Sequence, residues 1–217
     1  SGDGTLTLTG ANSYTGTTAV NVGTLQIGNN GTTGTLGSGN VTIASGANLT
    51  FNRSNNFGTG SSQVFSGAGT ITKEGAGELI FNGATNDHTN VQGVSNVVVN
   101  NGLIRTDNYG QWNSALNLTV NGSGQFEMWN NESVTLANLS GNGTVQNTKY
   151  WFRSQTLTIA AGSFSGSITD LGITSGGPGN GDTRINLVKS GSGTLTLSGT
   201  NSYNGNTTVE DGTFSIS

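Results

Sequence analysis

Six acids are the side chains of this sequence whose chemistry would suit catalysis on a polysaccharide. They are Asp87, Asp107, Glu127, Glu132, Asp170 and Asp182. Hydrolysis with inversion would need two carboxyl groups about 6.5–9.5 Å apart, and a lyase would need a base beside a cation such as Ca²⁺. Asp87, Asp107 and Glu127 follow one another at intervals close to one turn of a solenoid, but they share no surrounding motif. Solvated surface carboxylates account for them equally well, so we assign no catalytic residue and keep a carbohydrate-degrading protein as an alternative.

Aromatic and arginine side chains form the second group of candidates. The group consists of Arg105, Tyr109, Trp112, Trp129, Tyr150, Trp151 and Arg153. Exposed Trp and Tyr next to Arg suit contact with a glycan or a protein. The three tryptophans are separated by about one turn of a solenoid each, so they could stack as a stripe along one side. The other interpretation, which the sequence leaves open, is that wider turns place these rings in the core or over a bend.

The remaining composition excludes several classes of function. The chain has no Cys, one His, a net charge of −4 and only 8% charged residues. An acidic chain lacks the basic face that binds nucleic acid, and no apolar run approaches the roughly 18 residues of a membrane-spanning helix. A lone His88 in a predicted turn is typical of a surface residue. We therefore predict no metal, no cofactor, no nucleic acid partner and no insertion of this segment into a membrane.

The elements that would position these side chains are set by an internal repeat. The segments 1–28 and 190–217 align without a gap, and well over half of their positions are identical. A third copy, stretched by a longer connection, covers 73–105. A fixed-offset repeat predicts a solenoid in which each unit stacks on its neighbours. We predict one solenoid over residues 1–217, representing a fragment of a longer repeat array.

The apolar residues alternate with polar ones in short groups, as in Leu6/Leu8, Leu25/Ile27 and Leu195/Leu197. Alternation with period two predicts strands with one buried side. No segment has a helical apolar period, so little or no helix is expected. At about 20–24 residues per turn the chain would form roughly nine to ten turns. The segment from Asp170 to Arg184, which holds the only proline, is predicted to protrude as a loop.

The repeat resembles a known family at the residues that define it. They are Lys-x-Gly-x-Gly-x-Leu-x-Leu-x-Gly, then Asn-Ser-Tyr-x-Gly, then Val-x-x-Gly-Thr-Leu, as in 189–216 and, without the Lys, 2–27. This pattern looks like the autotransporter-associated β-strand repeat, found in passenger domains of type V secreted bacterial proteins. The middle copy matches over 73–83 and then departs, with Asn86-Asp87-His88 in place of Asn-Ser-Tyr. The resemblance implies an all-β, right-handed parallel β-helix that is exported to the cell surface, and it carries over no catalytic residue.

From this resemblance we predict a non-enzymatic structural or adhesive passenger segment, extracellular or on a bacterial cell surface, acting as a stiff rod. A cell-surface glycan or a protein is the expected partner of the aromatic group. Outward Thr-x-Thr pairs such as Thr5/Thr7 and Thr70/Thr72 raise ice binding as a minor alternative, although the pairs lie several turns apart. Because an open solenoid has unpaired strand edges at both ends, we also predict end-to-end self-association.

Overall fold

The computed structural model describes residues 2–59, 63–81, 91, 93–106, 112, 115–129, 133–148, 154–174 and 181–217. All regular secondary structure in these ranges is β, and no helix occurs in them. The structure therefore confirms the prediction of an all-β parallel solenoid.

The described residues contain 23 short strands. In chain order they are β1 (Thr5–Leu8), β2 (Thr18–Val20), β3 (Thr24–Gly31), β4 (Val41–Ile43), β5 (Asn48–Arg53), β6 (Phe57–Gly58), β7 (Phe65–Ser66), β8 (Thr70–Lys73), β9 (Glu78–Phe81), β10 (Asn96–Val99), β11 (Leu103–Thr106), β12 (Asn117–Val120), β13 (Gln125–Glu127), β14 (Val134–Gly141), β15 (Thr144–Asn147), β16 (Gln155–Phe164), β17 (Ser167–Asp170), β18 (Ile173–Thr174), β19 (Gly181–Asp182), β20 (Ile185–Lys189), β21 (Thr194–Leu197), β22 (Thr207–Val209) and β23 (Thr213–Ile216).

The strands of the solenoid stack on three faces. Face A stacks β1, β3, β5, β8, β10 and β12, then the second halves of β14 and β16, then β21 and β23. Face B stacks β6, β9, β11, β13, β15 and β17. Face C starts with β2, β4 and β7, continues through the bridge between Val91 and Trp112, and includes the first halves of β14 and β16 with β20 and β22.

The solenoid has about eight turns, so the predicted nine to ten turns were too many. The prediction assumed about 20–24 residues for every turn, but two turns are longer. One runs from Thr70 to its partner Asn96, and the other runs from Gly162 to its partner Leu195. Both long turns contain an extended connection between face B and face C, which the repeat length does not include.

The core is a single strip of apolar side chains enclosed by the three faces. On face A the in-register residues Leu25, Leu49, Ile71, Val97 and Leu118 are all buried. Fully burying one such side chain contributes about 1.5–3 kcal/mol, and stacking neighbours in register lets each turn complete the burial of the next. The solenoid therefore needs no disulfide, in keeping with the absence of Cys.

The chain from Asp170 to Arg184 departs from the parallel pattern. Its two strands, β18 and β19, pair with each other in antiparallel orientation, whereas the other strand pairs in the described residues are parallel. Residues 175–180 lie outside the described ranges. The structure thus places a self-paired hairpin where the sequence predicted a loop.

Candidate functional site

The repeat forms a corner at which one turn is fastened to the next. Lys189 closes β20 and is fully buried. Its ammonium group donates hydrogen bonds to the carbonyl oxygens of Ser190 at 2.6 Å and Gly191 at 2.7 Å in its own turn. It also donates to the carbonyl oxygen of Asp211, in the following turn, at 3.0 Å. Three carbonyl oxygens thus accept the hydrogen bonds that an exposed ammonium group would donate to water.

A glycine in the left-handed conformation closes the same corner from the next turn. Gly212 has φ +72°, and a Cβ atom there would collide with the carbonyl oxygen of Gly193 and lie 2.8 Å from Lys189 Nζ. Gly102 repeats this arrangement with φ +68°, where a Cβ atom would collide with the carbonyl oxygen of Gly75. Only glycine combines this φ with such a close approach of two backbones.

Lys73 has the same role in the middle copy. It is fully buried, and its ammonium group donates to the carbonyl oxygen of Gly75 and, at 3.4 Å, to that of Asn101 in the next turn. Burial away from water lowers the pKa of Lys73 to about 8, and the adjacent Glu74 carboxylate acts in the opposite direction. The cause is the cost of holding a charged group in a medium of low dielectric constant.

The same repeat occupies different corners in different copies. In the last copy Lys189 pairs with Val209 on face C, and Leu195 pairs with Phe214 on face A. In the middle copy Lys73 pairs with Val99 on face A, and Leu79 pairs with Ile104 on face B. The repeat therefore specifies the stacking of two turns at a corner, and it does not belong to one side of the solenoid.

The Asn-Ser-Tyr part of the repeat stabilises the chain after the corner. In the last copy the Asn201 side chain donates to the carbonyl oxygen of Gly199 at 3.0 Å and accepts from the Ile168 amide at 3.1 Å. The Tyr203 hydroxyl lies 2.6 Å from Thr207 Oγ1. The first copy repeats the last contact, with Tyr14 Oη 2.8 Å from Thr18 Oγ1. These repeat residues are occupied by contacts within the solenoid.

The predicted contact residues divide into two groups. Tyr109, Tyr150, Trp151 and Arg153 lie outside the described residues. Arg105, Trp112 and Trp129 are described, and the structure gives the two tryptophans different surroundings.

Trp112 belongs to the core. It is 9% exposed, and its ring makes edge contacts with Phe81 at 5.7 Å and Phe126 at 5.2 Å between ring centroids. The tryptophans therefore do not form the continuous outward stripe that the sequence allowed, because this ring turns into the space between two core phenylalanines.

Trp129 is half-buried nearer the surface, with the Arg105 guanidinium 3.6 Å from its ring centroid. Arg105 also forms an ion pair with Glu78, with 2.9 Å between Nε and Oε1. Stacking on the ring and pairing with a carboxylate hold this guanidinium in place.

Of the six candidate acids, the structure describes the side chains of Glu127 and Asp170, and both are buried. Glu127 accepts hydrogen bonds from the Thr148 amide at 2.6 Å, the Thr148 hydroxyl at 2.9 Å and the Gln146 side chain at 2.8 Å. Asp87, Asp107 and Glu132 lie outside the described residues, and the Asp182 side chain is not described.

Asp170 is a second anchor between turns. Its carboxylate accepts from the amides of Gly172 at 2.9 Å, Ile185 at 2.7 Å and Asn204 at 2.9 Å, and from the Asn204 side chain at 2.6 Å. These donors join the end of face B to the start of face C and to the following turn. In the described part of the chain no group of His, Asp and Glu residues is arranged to hold a metal ion.

The long connections that leave face B strands run to face C, at a corner that we call the BC edge. They comprise residues 82–90 after β9, 148–154 after β15 and 171–184 after β17. In the same turns the connections from face A to face B are shorter, with residues 74–77 between β8 and β9, 142–143 between β14 and β15, and 165–166 between β16 and β17. Elsewhere residues 9–17, 32–40 and 198–206 also form long connections, and these leave face A. Insertions in a solenoid that collect on one side mark the side with room for contacts.

Sequence reasoning missed the structural use of the two buried lysines, of Asp170 and of the ion pair between Glu78 and Arg105. The lysines had a readable signal, since each stands at the buried end of an alternating strand, where an apolar residue is the rule. The ion pair had none, because Glu78 and Arg105 are distant in sequence. They meet only through the register of face B, which pairs Glu78 with Leu103.

The parallel register and the repeated corners define a β-solenoid assembled from stacked repeat turns. Three segments of it, residues 1–27, 71–102 and 187–216, match the passenger-associated-transport-repeat family. These three matches agree with the resemblance found in the sequence.

The chain is also similar to the adhesin BmaC autotransporter of Brucella suis biovar 1 (strain 1330), with 49% identity over 67 residues. That alignment covers 31% of this chain and 2% of the adhesin. No solved structure gives a significant match. No helix in the described residues is long and apolar enough to span a membrane.

Proposed function

We propose that this chain is a non-enzymatic structural segment of a passenger, exported to the bacterial cell surface or secreted, where it serves as a stiff spacer. The observation that supports this most is how the repeat uses its own residues. Lys189 and Gly212 join two turns at a corner, and Tyr203 braces the next segment. A repeat whose defining residues are occupied by stacking encodes length and stiffness.

We further propose that contacts with a glycan or a protein are made along the BC edge. Arg105 and Trp129 lie next to this edge and are held together by stacking. By sequence position, Tyr150, Trp151 and Arg153 fall in its connection 148–154, and Tyr109 lies between β11 and Trp112. An Arg and aromatic residues fixed by neighbours suit a partner because little side-chain entropy is lost on binding.

A carbohydrate-degrading activity has less support. Glu127 and Asp170 are buried, and both accept several hydrogen bonds from the protein. An inverting pair would instead need two carboxyl groups open to a sugar and a water molecule. The buried contacts of Glu127 and Asp170 are those of structural anchors.

The experiment that tests both parts uses the 217-residue chain on arrays of glycans and extracellular matrix proteins, together with an assay for released reducing ends. Trp129→Ala and Arg105→Ala are compared with Thr158→Ala, a partly exposed residue on face C. We expect binding that falls at least tenfold in the first two variants alone, with no sugar released. Release of reducing ends or unsaturated products would contradict the non-enzymatic assignment, and equal binding by all variants would contradict the BC edge.

A further inference from the structure

Face A presents two parallel rows of outward-pointing residues along the rod. In the first turns one row runs through Thr5, Thr24, Asn48 and Thr70 in register. The other row runs through Thr7, Gln26, Thr50 and Thr72. The residues between them, such as Leu25 and Leu49, belong to the core. Two turns separate the Thr5/Thr7 and Thr70/Thr72 pairs, and these turns add Thr24, Gln26, Asn48 and Thr50 to the rows.

The two rows continue through the later turns with the same chemistry. Their further members are Asn96 and Val98, Asn117 and Thr119, Asn138 and Ser140, Ala161 and Ser163, Thr194 and Thr196, and Thr213 and Ser215. Half of the row positions in the described strands are Thr, and none is charged. Faces bearing Asp, Glu, Lys or Arg hold strongly oriented water, and face A lacks such groups in both rows.

The side chains of these rows are fixed by one another. Asn48 donates to Thr50 Oγ1 at 3.2 Å and accepts from Thr72 Oγ1 at 2.9 Å. Thr50 and Thr72 are only 5% and 7% exposed, so the row through Thr24, Asn48 and Thr70 offers more surface at this point. Threonine also has a stiff χ1 torsion because its Cβ is branched. The rows are thus a rigid array of hydroxyl, methyl and amide groups.

The same coupling of side chains recurs further along the rod. The Asn117 side chain donates to Asn96 Oδ1 at 3.1 Å, and Thr119 Oγ1 and Ser140 Oγ are 2.9 Å apart. Each contact joins one turn to the next across face A. The order of the array therefore extends beyond the first turns.

The array repeats in two directions. Neighbouring strands of a sheet are about 4.7–4.9 Å apart, and residues i and i+2 of one strand are about 6.6 Å apart. A regular array of this kind offers a repeating surface to a repeating lattice of water molecules such as ice. A sugar-binding face would be expected to offer aromatic platforms or free carboxylates, and neither row contains one. We propose that face A binds ice, mainly through the more exposed row that runs from Thr5 through Thr24 and Asn48 to Thr70.

The test grows ice slowly from a solution of the 217-residue chain and measures the protein in the ice fraction and the thermal hysteresis. Thr24→Tyr and Thr70→Tyr place a bulky ring on face A, and Thr158→Tyr places the same ring on face C as a control. We expect the unmodified chain and Thr158→Tyr to enter the ice and to show thermal hysteresis. Both face A variants should lose most of that activity while keeping the circular dichroism of the unmodified chain.

Exclusion of the unmodified chain from ice would overturn the proposal, and so would equal activity in folded face A and face C variants. Thr5→Tyr is a further face A variant, at an exposed position of the first strand. It keeps the comparison available if Thr24→Tyr or Thr70→Tyr fails to fold. Because the readout is ice and not a glycan or a protein, its failure is separate from that of the proposed function.

Discussion

The ammonium group of Lys189 lies 3.0 Å from the carbonyl oxygen of Asp211, across the boundary between two turns of the solenoid. Both residues belong to one copy of the repeat, which is therefore the unit that couples a turn to its successor. These hydrogen bonds offset part of the cost of placing a lysine at a fully buried position, where an apolar residue would be less costly to bury.

Replacing Lys189 with Met should destabilise the solenoid. The variant keeps the approximate volume of the side chain but leaves the carbonyl oxygens of Ser190, Gly191 and Asp211 without this donor. Each buried group left without a hydrogen-bond partner costs about 1–3 kcal/mol, and the cost is smaller where water can reach the group. We expect a lower midpoint in urea denaturation followed by circular dichroism. Glu210→Gln, at an exposed neighbouring position, is the control and should leave the midpoint unchanged; equal midpoints for both variants would contradict the role of Lys189.

Replacing Gly102 with Ala should destabilise the middle of the rod. The new Cβ would collide with the carbonyl oxygen of Gly75, and the residue would keep φ at +68°. A left-handed conformation and a backbone clash together cost on the order of 2 kcal/mol or more. Gly10→Ala is the matched control, since a Cβ there meets nothing within 4 Å. Thermal melts of the two variants compare them directly, and a Gly102→Ala protein as stable as Gly10→Ala would show that the corner is not tightly packed.

Stability should rise with pH in the alkaline range because of Lys73. Its pKa is about 8 in the folded chain and 10.5 as its ordinary value, so between these values the unfolded state binds more protons. The free energy of unfolding then increases with pH over this interval. Below the folded-state pKa both states are protonated and the full cost of burial is present. Urea titrations across the alkaline range check this, with Lys73→Met expected to lack the increment; a difference between the two proteins that is flat or falls with pH would contradict it.

Replacing Asp170 with Ala should loosen the junction between faces B and C. The amides of Gly172, Ile185 and Asn204 would lose their shared acceptor, at a cost of about 1–3 kcal/mol for each donor left without a partner. Limited proteolysis should show faster cleavage between residues 170 and 185. Asp3→Ala, at an exposed position in the first turn, serves as the control. Unchanged cleavage in the Asp170 variant would mean that the hairpin is held by other contacts.

The chain should associate end to end at high concentration. The exposed large apolar residues include Leu6 at 62% and Val22 at 54% in the first turn, with Val209 at 51% and Ile216 at 74% in the last. A second copy stacked on either end would cover them and pair free strand edges. Sedimentation equilibrium should show oligomers, which Leu6→Lys and Ile216→Lys reduce. A monomer at millimolar concentration would contradict this prediction.

Much of the fold could be predicted from the sequence because the repeat and the alternation of apolar residues depend only on local spacing. Leu6, Leu25, Leu195 and their equivalents mark the strands directly. The number of turns was predicted less well, because the connections 82–90 and 171–184 at the BC edge add length without adding a strand to face A.

The candidate site could be predicted only in part. The spacing of Trp112 and Trp129 is about one turn, but spacing along the chain does not tell which way a ring points. Trp112 packs between Phe81 and Phe126, whereas Trp129 stacks with Arg105.

The burial of Lys73 and Lys189 likewise depends on carbonyl groups of the following turn, which no local pattern reveals. The corner that each repeat occupies also follows from long-range register. Such contacts between turns are the part of the structure that the sequence pattern does not encode locally.

Amide hydrogen exchange in Lys189→Met tests most directly whether the repeat exists to fasten turns together. The reporters are the amides of Glu210 and Thr213, which donate to the carbonyl oxygens of Lys189 at 2.8 Å and Gly193 at 3.1 Å in the preceding turn. If the lysine joins the turns, exchange should accelerate at least tenfold over residues 207–216 while residues 41–73 keep the protection of the unmodified chain. Unchanged exchange at Glu210 and Thr213 would contradict the account.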